Sequence, residues 1–371
     1  WEVDNGMTGW GPVVGGQYSG IGTDTLRVVN PTSSMNGYIY RVILGGYCIP
    51  SDTSVEVTLT VNENAEVTIQ PLDAAICETG DTSFYASPGV TTNPTFQWLE
   101  DPNTGTYGPI SDGGVYTGTD DSILVITGAP FSMDGYQYKL RVTGDCGVPV
   151  ESNPATLTVY KSPEITQQPS DTTTCELNTV TFTVDPGVTD FPTYQWYVDD
   201  GVSGMQPLTD VGGYVGSGNR TLQIFGVDSS MTGYQYEVMI SNLCGSITSD
   251  PKTLTVQSAP QIWIQPTDST ICEGDDAAFS VNATGTNLVY AWYVDDGTST
   301  DSIVNGGVYG GHGTPDLHIT GADRTYDRNR YFVRIEGTCL PPVQSNIAFL
   351  NVNNPPEISV QPVYDTICEF N

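Results

Sequence analysis

The chain has 371 residues, long enough for two to four domains. Its 43 Asp and Glu against 11 Lys and Arg leave a net charge of −32. That excess excludes nucleic acid as a partner, since binding it takes basic residues to displace counterions, and disfavours anionic membrane surfaces. Gly 41 and Pro 25, with many Thr, Val and Tyr, suit short strands and frequent turns, and no sustained helical period is present. There is no apolar run of about 18 residues, so no membrane insertion is expected in this segment.

The chain opens on Trp1-Glu-Val-Asp-Asn-Gly6, a cut-off copy of a stretch that recurs as Phe96-Gln-Trp-Leu-Glu-Asp101, Tyr194-Gln-Trp-Tyr-Val-Asp-Asp-Gly201 and Tyr290-Ala-Trp-Tyr-Val-Asp-Asp-Gly297. The tryptophans Trp1, Trp98, Trp196 and Trp292 are spaced by 97, 98 and 96 residues. A period that steady means tandem copies of one domain. It predicts the back half of a domain over 1–63, complete domains over 64–161, 162–258 and 259–353, and the start of another over 354–371. Because the chain starts in mid-domain, it reads as a window on a longer protein.

Each junction repeats an extended stretch ending in Gln-Pro: Val67–Pro71, Ile165–Pro169, Ile262–Pro266 and Ile358–Pro362. Proline lacks a backbone donor, so these segments belong on an edge strand or a bulge. In the third copy the alternating run Val180–Val184 reads as a half-buried strand. Tyr194–Val198 follows, closed by the turn signal Asp199-Asp-Gly201. Then come Gly212–Tyr214, Leu222–Phe225, Tyr234–Ile240 and Lys252–Val256. Tyr18, Tyr116, Tyr214 and Tyr309 each stand eight residues before a leucine. The fold class is all-β: about seven short antiparallel strands per domain.

These features resemble an immunoglobulin-like sandwich: a core tryptophan (Trp98, Trp196, Trp292) is followed some 40 residues later by a tyrosine-corner pattern. That pattern is Gly37-Tyr-Ile-Tyr40, Gly135-Tyr-Gln-Tyr138 and Gly233-Tyr-Gln-Tyr236; in the fourth copy Asn329-Arg-Tyr331 keeps the tyrosine and loses the glycine. The sandwich's core disulfide is missing. Val42, Leu140, Val238 and Val333 stand at one cysteine position, with Ala86, Val184 and Val281 opposite, and an apolar pair is tolerated if it fills the volume. Cys272–Val281, the tryptophan strand, the Y-x-G…L-x-I pair and the cysteine after the tyrosine strand look like repeats of giant Bacteroidota cell-surface proteins, among them gliding-motility adhesins of the SprB type. The resemblance implies an extracellular filament exported by the type IX system. Neighbouring repeats would be its first partners, and it would bear tension and display a distal adhesive region. Two other readings stay open: a module binding glycans or surface polymers, and the non-catalytic stalk of a larger extracellular enzyme.

The eight cysteines contain no CxxC pair and the chain has two histidines, His312 and His318, so disulfides in an oxidising compartment fit better than zinc. Spacing alone suggests pairing within a domain, Cys77 with Cys146, Cys175 with Cys244 and Cys272 with Cys339. In an immunoglobulin sandwich, however, those two positions lie at opposite ends, about 35 Å apart, and a disulfide needs Cα atoms within about 7 Å. Bridges between successive domains, Cys77–Cys244 and Cys175–Cys339, are therefore proposed. Cys146, Cys272, Cys48 and Cys368 would look to partners outside this segment.

Enzyme chemistry finds little support: no histidine recurs between copies and no G-x-S-x-G elbow appears. The acidic pairs Asp199–Asp200 and Asp295–Asp296 are weak calcium candidates, since a hard cation prefers several oxygens; a turn that favours Asp and Gly is the simpler explanation. No other cofactor is expected. Tyr107, Tyr197 and Tyr293 fall outside the core pattern and could stack on sugars. The resemblance further implies O-glycans at Asp-Ser/Thr triplets, placing Thr172, Ser269 and Thr366 ahead of Asp24–Leu26, Asp121–Ile123 and Asp301–Ile303. The loops 101–114 and 201–213 differ in sequence, which suits the binding alternative.

Overall fold

A computed structural model describes residues 1–364, 367 and 369. The expectations for Thr366 and Cys368 lie outside the described residues. The chain divides into two compact units. The first comprises 1–162 with the loop segments 188–190 and 242–245, and the second comprises the rest.

In the first unit, the second repeat folds as two packed sheets. One holds Thr82–Tyr85, Ile123–Ile126 and Tyr116–Thr117. The other runs in the order Gly108–Pro109, Thr95–Asp101, Gln137–Thr143, Ala155–Tyr160 and Ala74–Cys77, with Val150–Glu151 added beside Gln137–Thr143. Alternation in the last strand, Ala155, Leu157 and Val159 inward, seats it on the core. The first repeat has the tryptophan strand Glu2–Asp4 between Trp10–Pro12 and Ile39–Arg41, then Val57–Thr58. A separate pair, Tyr18–Ser19 with Arg27–Val28, carries its second sheet.

In the second unit, the third and fourth repeats reproduce both sheets. The tryptophan strands Thr193–Asp199 and Val289–Asp295 pair over seven residues with the tyrosine strands Gln235–Asn242 and Arg330–Glu336. Short 3-10 turns, Ser229–Met231 and Arg324–Tyr326, precede the tyrosine strands.

One departure from the expected antiparallel sandwich recurs. Ala74–Cys77, Thr172–Cys175 and Ser269–Cys272 run parallel to the last strand of their own repeats. The Gln-Pro step is the reason. Before it, Ile69 and Gln167 bridge to Ser87 and Asp185, next to the strand after the cysteine. After it, the chain joins the opposite sheet, because proline cannot extend the first ladder. The crossing is clamped at both ends. Gln70, Gln168 and Gln265 accept the N–H of Asn153, Asp250 and Asn346. Asp73, Asp171 and Asp268 accept those of Thr156, Thr253 and Phe349.

Each complete repeat has its own buried cluster. Trp98, Trp196 and Trp292 are fully buried, and each indole N–H donates to a carbonyl, of Asp121, Asn219 and Thr314, at 2.9, 2.8 and 3.0 Å. Phe84, Phe182 and Phe279 pack on Tyr138, Tyr236 and Tyr331 with ring centroids 5.0, 4.9 and 4.8 Å apart. Ala86 with Leu140, Val184 with Val238 and Val281 with Val333 fill the place of a core disulfide. The glycine after each Tyr-x is demanded by its turn: a Cβ on Gly118, Gly216 or Gly311 would meet a carbonyl oxygen at 2.2–2.3 Å, and φ there is positive.

A buried serine does what no pattern announced. Ser152, Ser249 and Ser345 accept the N–H of Leu140, Val238 and Val333, where the side chain replaces a ladder partner. Ser249→Ala leaves the Val238 N–H without its partner in the core and should cost about 1–3 kcal/mol, read as an earlier denaturant midpoint of Trp196 fluorescence.

The corner tyrosines are paired: the hydroxyls of Tyr138, Tyr236 and Tyr331 meet those of Tyr116, Tyr214 and Tyr309 at 3.2–3.3 Å. Burial raises all six hydroxyls above the ordinary tyrosine value. An unfolded chain ionises its tyrosines near pH 10, whereas the folded pairs stay protonated. Their contribution is therefore complete below about pH 10 and is lost as pH climbs above it. Denaturant midpoints should fall steeply from pH 10 to pH 12, and a midpoint flat over that range would contradict the pairing.

Candidate functional site: the junctions between repeats

The parallel strand delivers its cysteine to the exit of its own repeat. Cys77 is in register with Tyr160, and Cys175 with Gln257, each the last residue of the final strand. The next repeat begins within a few residues.

Within the first unit, Cys77 and Cys244 form a disulfide with Cα atoms 5.5 Å apart and a dihedral of −91°. Cys244 lies after the tyrosine strand of the third repeat. The linker beside it is pinned from both repeats. The Lys161 N–H donates to the Asp190 carboxylate at 2.7 Å, and the Asn242 amide donates to the carbonyls of Lys161 and Asp190. Glu78 accepts the Ser162 N–H. Within the second unit, Cys175 and Cys339 form the corresponding disulfide, Cα atoms 5.7 Å apart, with Cys339 fully buried. There Ser258 donates to the Thr286 hydroxyl and accepts the Thr286 N–H, and Thr286 accepts the N–H of Thr338. The intradomain pairs suggested by spacing are not formed.

The junction of the first and second repeats follows the same plan without a bridge. Thr92 accepts the Glu63 N–H, and Asn64 lies beside Cys146 in a parallel bridge. Cys48, Cys146 and Cys272 are free thiols.

The acidic pairs serve their own turns. Asp199 accepts the Gly201 N–H, and Asp200 those of Val202 and Ser203. Asp295 accepts the Gly297 N–H, and Asp296 those of Thr298 and Ser299 together with the Thr298 hydroxyl. These donors, the Thr298 hydroxyl first, hold the Asp296 carboxyl down at about 2. The Ser203 and Val202 N–H groups lower Asp200 in the same way. Asn5 makes the same bonds to Met7 and Thr8 without a charge, so the turn itself needs only an acceptor oxygen. Among the described residues, no group of three or more His, Cys, Asp or Glu is arranged to hold a metal.

Thr172 and Ser269 open their parallel strands half-buried, at the position where Ala74 faces the core of the second repeat. Their preceding aspartates are the clamps already described, which accounts for the recurrence of Asp but not of the hydroxyl. The tyrosines outside the core pattern are half-buried rather than open. Tyr107 donates to Gln137 and lies under the Lys139 ammonium, 4.1 Å from the ring centroid, and Tyr293 stacks on Phe332 at 5.2 Å. One exposed aromatic that the pattern passed over is a tryptophan. Trp263 is 70% exposed, and its indole N–H is held by the Thr284 hydroxyl. In the other complete repeats its place is taken by Thr68 and Thr166, which bond across the ladder.

Among solved structures, this chain is similar in fold to an I-band fragment of titin, I67–I69. It is 16% identical over 79% of this chain and all of that one, with a TM-score of 0.58. An E-to-A variant of the same titin domains gives 0.57, at 16% identity over 78% of this chain and 99% of that one. The chain is a tandem immunoglobulin-like array. The N-terminal eight Ig domains of Down Syndrome Cell Adhesion Molecule isoform 1.30.30 align at 15% identity with a TM-score of 0.50, covering 88% of this array and 41% of that chain. At such identities the likeness is one of fold. No known sequence family matches the array, and no curated protein sequence does.

Proposed function

We propose that this array is a structural and adhesive segment of a very large secreted surface filament or stalk, of the kind found in giant bacterial adhesins, bearing tension and holding a distal region away from the cell. One observation carries the reading: at the two junctions between complete repeats, a disulfide joins successive repeats as well as the backbone. A second covalent path past those two linkers is what a load-bearing chain uses. The disulfides fit an oxidising, extracellular compartment. The acidic surface suits crowded filaments that must repel one another. The test is antibody labelling of intact source cells with micrographs of sheared surface material. Labelled filaments support the proposal, and antigen confined to the cytosol defeats it.

Trp263 favours a second reading, contact with a neutral glycan by the fourth repeat, because an exposed indole anchored at its N–H offers its face for stacking on sugar C–H groups. A glycan that shifts tryptophan emission in the parent chain and not in Trp263→Thr would establish it.

A further inference from the structure

Each complete repeat leaves one strand on an open edge. In the second repeat it is Thr82–Tyr85, which pairs along its length with Ile123–Ile126 alone. Just past it, the Ala86 N–H donates to the Ser122 carbonyl on the partner's side, and the Ser87 N–H donates to the Ile69 carbonyl on the other side. Antiparallel alternation then turns the backbone groups of Ser83 and Tyr85 outward. Pairing on that side stops at Ile69. The residue that would stand opposite Tyr85 is Pro71, which has no N–H to give and begins the crossing to the other sheet. Among the described residues, no backbone bond reaches the outward side of Ser83 or Tyr85.

Beside this edge lies a cleft of about 240 Å³ whose walls include Ile69, Leu72, Asp73, Ala74, Phe84 and Tyr85. Leu72 is 81% exposed, and Tyr85 and Ile123, directly opposite each other, are 47% and 44% exposed. The other complete repeats are polar at these places. For Leu72, Ala74, Tyr85 and Ile123 the third repeat has Ser170, Thr172, Thr183 and Thr221, and the fourth has Thr267, Ser269, Ser280 and Asp316. In the third repeat the hydroxyls of Thr183 and Thr221 meet at 3.2 Å. Polar and charged side chains are a common guard of an open edge, and of the three complete repeats the second is the one without it.

We propose that the open edge of the second repeat docks an extended segment of a partner protein, one with a large apolar side chain at its centre and basic residues at its ends. The outward groups of Ser83 and Tyr85 call for a strand, since strand addition supplies backbone hydrogen bonds while pockets beside the edge supply selectivity. The cleft sets the central side chain. It is smaller than the pockets that hold small molecules, about 300–1,000 Å³, and suits one leucine or phenylalanine seated against Phe84 and Ala74. Charge sets the ends. Asp73 and Asp81 flank the edge, Asp120 and Asp121 precede its partner strand, and from residue 42 to residue 138 the sequence has no Lys or Arg. A second copy would bring acid to acid, whereas a basic segment complements the edge.

The probe is a short synthetic peptide of alternating valine and threonine around a central phenylalanine, with lysines at both ends, added to the full 371-residue chain. Hydrogen exchange should slow at least tenfold at the Ser83 and Tyr85 amides and stay unchanged at Thr181 and Thr183. Leu72→Ser combined with Tyr85→Thr gives the second repeat residues with which the third already folds, and should weaken binding at least tenfold. A peptide with aspartate at its centre, or with glutamates for the lysines, should lose as much. The proposal is overturned if the variant chain or either altered peptide binds as tightly as the original pair, or if the third repeat is protected equally. It is overturned too if the peptide fails to bind at millimolar concentration, or if a second copy of the chain already protects Ser83 and Tyr85 before peptide is added.

Discussion

Pulled from its two ends with both disulfides intact, the chain should reach full extension at about 600 Å, against about 1,250 Å after reduction. The two bridges overlap, since Cys175 lies inside the Cys77–Cys244 loop and Cys244 inside the Cys175–Cys339 loop. The shortest covalent route therefore runs from Trp1 to Cys77, across to Cys244, back to Cys175, across to Cys339 and on to Asn371. About half of the 371 residues is bypassed. Single-molecule force spectroscopy reads this directly as contour length before and after a reductant. An oxidised chain that extends as far as the reduced one would show that the bridges do not carry load. Replacing Cys244 with Ser should recover part of the missing length, because one of the two shortcuts remains.

Trp196→Ala should cost about 3–5 kcal/mol, with the loss confined to the third repeat. The indole is fully buried between the sheets, and its removal leaves both a cavity and the Asn219 carbonyl without its donor. The second and fourth repeats have separate buried clusters built on Trp98 and Trp292. Hydrogen exchange should therefore show protection lost between about 165 and 256 and kept elsewhere in the complete repeats. Equal loss in all three would mean that they unfold as one. Trp196→Phe, which retains most of the packing, should fall well short of the alanine effect.

The tryptophan period and the corner tyrosines were enough to anticipate the repeat and its sandwich, because both are large side chains with one place to go. Strand direction was not legible. Alternation says which face a residue takes, not which way its neighbour runs, so the parallel strand before each cysteine could be found only once the Gln-Pro crossing was seen. Ser152, Ser249 and Ser345 gave no signal, since a serine used as a ladder partner looks like any surface serine. Nor could Asp199–Asp200 and Asp295–Asp296 be told from a cation site by composition; Asn5, making the same turn without charge, shows that the turn bonds alone do not call for a carboxylate. The cysteines were harder still, as their spacing favours pairs that the ends of a sandwich hold apart. Tyr107 and Tyr293 looked open only because Lys139 and Phe332, on the neighbouring strand, are distant in sequence.

The overlap of the two bridges also imposes an order of synthesis. Cys77 finishes its place in the second repeat long before Cys244 exists, since 167 residues separate them. As the polypeptide emerges N-terminus first, each newly folded repeat waits with a bare thiol until nearly the whole of its successor has followed. The oxidation front thus trails the growing tip by well over one repeat, and a chain whose growth stopped early would leave its last thiol unlatched.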